Sequence, residues 1–111
     1  MTNGVSELEK RVQFAEKCGQ AWAELHEKWL QLEKDEKPYL AALMNDLQGD
    51  MSELARERLA KGSPEFRSYI KNLCIARGEE LRAKVKYENA VAWFEAGRSL
   101  ESTERAKMKM F

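Results

Sequence analysis

After Pro64 the chain contains no further proline and no cluster of turn residues. Its last stretch, KYENAVAWFEAGRSLESTERAKMKMF (Lys86–Phe111), therefore continues a helix that receives no stop signal. Gly78 and Gly97 are the only weak links in this segment. From Pro64 to about Lys109 the helix would run ~69 Å at 1.5 Å per residue. This feature limits the fold more than any other. A helix of that length is not stable on propensity alone, so something long must pack along it.

Its start is well marked. In KGSP (61–64), Gly62 fits the position just past a helix, Ser63 an N-cap and Pro64 the first helical position. Apolar residues follow at Phe66, Ile70, Leu73, Leu81, Val85, Tyr87, Val91 and Phe94. Upstream, Ser6 and Glu9 form a capping box, and Leu8, Val12, Ala15, Cys18, Trp22, Leu25, Trp29 and Leu32 recur at three- and four-residue spacings, one helical stripe. Gly19 leaves a shallow spot beside Trp22 where another helix can approach closely.

Pro38 reads as a break, with helix 1 ending near Glu36 and helix 2 starting at Pro38; a kink within one helix is the other reading. The steps Leu40, Met44, Leu47, Met51, Leu54 carry helix 2 through Gly49, although QGD (48–50) also reads as a cap before a new start. The expected helices are about 6–36, 38–61 and 64–109 in a single domain. Acid–base pairs four residues apart, including Glu7–Arg11, Glu57–Lys61, Glu80–Lys84 and Glu101–Arg105, point to solvated helix faces.

Charged residues make up 34% of the 111 and the mean hydropathy is −0.67, which suits long helices with narrow buried stripes. The fold class is all-α: an elongated helical bundle of two or three long helices with a long C-terminal helix, completed by dimerisation. Residues 1–63 carry 9 basic and 12 acidic side chains and residues 64–111 carry 10 and 7, so the halves differ in sign while the whole is neutral. That is not the basic excess of a dedicated duplex binder. Cys18 and Cys74 lack metal-ligand spacing and read as packing residues in a reducing compartment. No apolar run reaches signal-peptide or membrane-span length, so the expected location is cytoplasmic, with no membrane partner.

Enzyme constellations are not supported by these residues. His26 is the single histidine, HEKWL (26–30) has Leu30 where a zincin has its second ligand, and no phosphate loop or di-iron motif occurs. No catalytic residue, metal or cofactor is assigned, and His26 reads as a structural residue at the solvent edge. Two binding surfaces remain. Tyr87, Val91, Trp93, Phe94 and Met108 form a candidate oligomer or partner interface, since aromatics and Met are enriched in interface cores. Arg67, Lys71, Arg82 and Lys86 share an arc of the last helix, with Trp93 and Phe94 beyond them, as a nucleic-acid groove would require. Because a helix of 38–61 covers only half of its neighbour, Tyr87, Val91 and Phe94 must pack on the far end of helix 1, on a second copy, or on another protein. A homodimer is the economical solution.

The stretch KVKYENAVAWFEAGRSLESTERAKM (84–108) resembles the C-terminal helix of small, mostly uncharacterised helical proteins of bacteriophages and prophages, several encoded near replication and recombination genes. The likeness covers about a quarter of the chain and rests on an aromatic–Arg–Ser–Thr–Glu–Arg–Ala rhythm. It implies a phage or prophage accessory factor in the bacterial cytoplasm, binding a host or phage protein or taking part in DNA metabolism. It assigns no functional residue.

Overall fold

The computed structural model describes residues 6–110, which form three α-helices and, among the described residues, no strand: α1 (Glu7–Asp46), α2 (Glu53–Lys61) and α3 (Pro64–Lys109). The all-α class and the long C-terminal helix are as expected. Ser6 caps α1, its Oγ accepting from the Glu9 amide at 3.0 Å. At the α2–α3 junction Ser63 Oγ accepts from the Phe66 amide at 3.2 Å and donates to the Ala60 carbonyl at 2.6 Å. One side chain thus serves the end of one helix and the start of the next.

Two helix boundaries depart from the sequence reading. Helix 1 does not stop near Glu36: α1 continues through Pro38 to Asp46. Proline removes one helical N–H and crowds the preceding turn, at a cost of about 3 kcal/mol. Here α3 holds both flanks of the proline. The Tyr69 hydroxyl donates to the Leu32 carbonyl, and the Tyr39 ring stacks on Tyr69 at 4.7 Å.

The second departure is that helix 2 does not run from 38 to 61. The chain leaves α1 at Asp46, turns through Gly49 at φ +102°, and restarts at Glu53 behind an Ser52 N-cap that accepts from Ala55 at 3.2 Å. Glycine adopts that φ without the Cβ penalty other residues meet. Arg56 closes the break: its guanidinium donates to the carbonyls of Met44 (3.3 Å), Leu47 (2.8 Å) and Gly49 (2.8 Å), which α1 leaves without helical donors. Leu54, counted on the continuous stripe, is 58% exposed.

The helices divide between two units, a central one (Leu25–Glu80) and a terminal one that joins Met1–Glu24 with Leu81–Phe111. In the central unit Ala60, Phe66 and Ala76 are buried, and Tyr69 stacks on Phe66 as well as on Tyr39. Glu80 is buried there too, at 2% exposure. Expected on a solvated face beside Lys84, it has its Oε1 3.1 Å from His26 Nδ1 and accepts from Arg77 Nη1 at 2.9 Å through Oε2. Arg77 in turn lies over the Trp29 ring at 3.8 Å. His26, 5.7 Å from Trp29, is the solvent-edge structural histidine expected. Cys74 is exposed rather than packed.

In the terminal unit the core is made of small residues. Cys18 and Ala90 are buried, and Tyr87 lies on Gly19, where a Cβ would stand 3.0 Å from its ring. Trp22 stacks on the same tyrosine at 5.6 Å. Small residues at the contact let the two backbones approach while aromatics flank the seam. Among the described residues no helix is long and apolar enough to cross a membrane.

Candidate interaction surface

The terminal unit separates two sets of α3 side chains that look continuous along the sequence. Tyr87, Ala90, Val91 and Phe94 turn toward α1 and are buried or half-buried. Val85, Asn89, Trp93 and Leu100 fall within an arc of about 80° on another side, at 100° per residue, and all four are exposed. Val85 is 55% exposed and Leu100 59%. At two helices per layer only one flank of α3 is covered here, and the second apolar stripe is left in solvent.

Trp93 is fixed from the α1 side. Phe14 meets it edge to face with centroids 5.9 Å apart, and Arg11 lies over its ring at 4.5 Å while donating to its carbonyl at 2.7 Å. Arg11 also pairs with Glu7 at 3.5 Å. The indole still keeps 41% of its surface exposed. A large aromatic held in one rotamer and presented to solvent loses little entropy on binding.

Between Phe14 and the exposed side of α3 runs a groove of about 350 Å³, with Val85, Asn89 and Trp93 along it and Arg82 and Lys86 at one end. Lys86 Nζ stands 5.9 Å over the Phe14 ring. Among the described residues no ion pair involves Arg82 or Lys86, and no carboxylate lines the groove. The surface is apolar with a cationic end.

The sequence-derived residues are distributed as follows. Trp93 is on the groove. Tyr87 is stacked inside the terminal unit, and Phe94 borders a neighbouring hollow of about 660 Å³ with Leu8 and Val12 of α1. Of the three partners open to Tyr87 and Phe94, the far end of helix 1 is the one present. Met108 is 77% exposed near the end of α3. Arg82 and Lys86 sit at the groove, whereas Arg67 and Lys71 are exposed in the central unit. Phe14, Asn89 and Leu100 were missed as site residues. A rotation count would have found the last two, because Val85 and Tyr87, two residues apart, lie about 200° apart and cannot share a face. No group of His, Cys, Asp and Glu able to hold a metal ion occurs among the described residues.

No family model matches the chain, and neither a curated protein nor a solved structure does.

Proposed function

We propose that this chain is a non-enzymatic helical interaction protein, a homodimer that works by holding a protein partner, and that the exposed side of α3 in the terminal unit is its working surface. The observation that carries this reading is Trp93: clamped by Phe14 and Arg11, yet 41% exposed beside Val85 and Leu100. A chain with so few buried apolar side chains has little reason to spend an ordered tryptophan on solvent unless another surface covers it. The resemblance of the C-terminal helix adds the context of a phage or prophage accessory factor in the bacterial cytoplasm.

A nucleic-acid-binding accessory role is the second reading, favoured by Arg82 and Lys86 standing beside an exposed indole. One pair of measurements separates the two. Binding of single- and double-stranded oligonucleotides is followed by anisotropy at ~50 mM salt, where phosphate contacts are strong. In parallel, the immobilised full chain and its Val85→Asp variant are compared for proteins retained from a bacterial lysate and for self-association. The expected result is no oligonucleotide binding and a protein contact, with a second copy or with another protein, that the variant loses. Tight, steeply salt-dependent oligonucleotide binding abolished by charge reversal at Arg82 and Lys86 would replace this reading with the second.

A further inference from the structure

The groove has a pattern that a second copy of itself would match. Its residues are arranged about Asn89, with Val85 four positions before and Trp93 four positions after, all on one exposed side of α3. Resting on the interaction reading above, we propose that the occupant of the groove is a second copy of this chain, docked with the two α3 helices antiparallel about a two-fold axis through Asn89.

That axis sets Val85 of each copy against Trp93 of the other, so both large exposed apolar groups are covered twice over by one symmetric contact. Asn89 meets Asn89 on the axis, where the two carboxamides each offer a donor and an acceptor and can satisfy one another once water is expelled. Orientation follows from charge. A parallel pair would face Arg82 with Arg82 and Lys86 with Lys86, whereas the antiparallel pair moves these cations to opposite ends. Arg82 then stands level with Ala96 of the second copy, one residue from its exposed Glu95.

Area supports a second copy over a small ligand. The chain exposes 8707 Å², and a folded monomer of 12.9 kDa is expected to expose about 6,300 Å², so the surplus is on the order of 2,400 Å². Obligate homodimers bury roughly 1,000–2,500 Å² per copy, which is the same scale.

The test uses the full chain. Light scattering should give twice 12.9 kDa at micromolar concentration. Val85→Asp, at a position already exposed and therefore harmless to the fold, should halve that mass with the helical circular dichroism unchanged. Asn89→Cys in a Cys74→Ser background should form a covalent dimer under mild oxidation, because a residue on the axis meets its own copy within disulfide reach. Gln20→Cys on the exposed side of α1 should not.

A mass of 12.9 kDa for the wild-type chain overturns the proposal. If Val85→Asp then still loses a protein retained from lysate, the groove serves a different protein and only the self-docking is wrong. A dimer that survives Val85→Asp and cross-links at Gln20→Cys but not at Asn89→Cys places the seam elsewhere and overturns the proposal as well. Oligonucleotide binding by the monomer would overturn both the docking and the reading beneath it.

Discussion

The ring of Tyr87 rests on the backbone of Gly19: a Cβ built there would stand 3.0 Å from Cε1 and 3.3 Å from Cδ1. The missing side chain is what lets α1 and α3 approach in the terminal unit. Because Trp22 stacks on the other side of the tyrosine, the ring has little room to give. Alanine at this position gains helix propensity of about 1 kcal/mol and meets a tight contact, so Gly19→Ala should stay within about 1 kcal/mol of wild type. Gly19→Leu has no such balance and should lose about 2–3 kcal/mol. Urea unfolding followed by circular dichroism, at one fixed protein concentration, measures both. An unchanged midpoint for Gly19→Leu would mean that the helices are not in contact here.

Pro38 makes the opposite prediction. It sits inside α1, where alanine is favoured by about 3 kcal/mol, less the extra freedom that the substituted chain gains when unfolded. Pro38→Ala should therefore stabilise the protein by about 1–2 kcal/mol. A destabilised variant would show that the proline shapes a bend on which the Tyr39–Tyr69 stack depends.

These two residues also show where the sequence is legible. Gly19 and the Gly62–Ser63–Pro64 punctuation were read correctly because their effect is local: a missing Cβ, a cap, a first-turn proline. Pro38 was misread because the force that overrides it comes from Tyr69, 31 positions away in the chain. Gly49 was read as helical because the Leu40–Leu54 spacing continues across it. The Arg56 contacts that close the break are invisible to periodicity. For the site, Trp93 was legible as a large aromatic in excess of what a thin scaffold can bury. Its neighbours Val85 and Leu100 were obscured because α3 carries apolar residues on two sides, so a linear list merges the stripes.

Glu80 offers a third test. It is the most deeply placed charged side chain described, and it engages His26 and Arg77, whose side chains remain 42% and 43% exposed. Since both partners can turn to water, losing the carboxylate does not strand a buried cation, and the penalty stays below that of a fully buried pair. Glu80→Gln keeps the volume and one acceptor and should cost about 1–2 kcal/mol. Chemical denaturation of the variant at neutral pH checks the figure. A neutral outcome would mean that the carboxylate's contacts only offset its desolvation.

The last prediction concerns alkaline pH. Tyr69 donates its hydroxyl proton to the Leu32 carbonyl, and its pKa is raised above 10.0, first by burial and then by Asp35, Glu36 and Tyr39 nearby. A raised value means that the folded state holds the proton more tightly than the unfolded state does. Below pH 10 both states keep it and the linkage is silent. As pH rises from the unfolded value toward the folded one, the unfolded chain releases the proton first, and stability falls. Wild type should therefore lose stability above pH 10 more steeply than Tyr69→Phe. That variant should be weaker at neutral pH by about 1 kcal/mol, for the lost hydrogen bond. Thermal midpoints of both proteins across that range, with tyrosinate absorbance recorded alongside, make the comparison. Parallel curves would show that Tyr69 titrates alike in both states, and that its hydroxyl is not held between α1 and α3 as described.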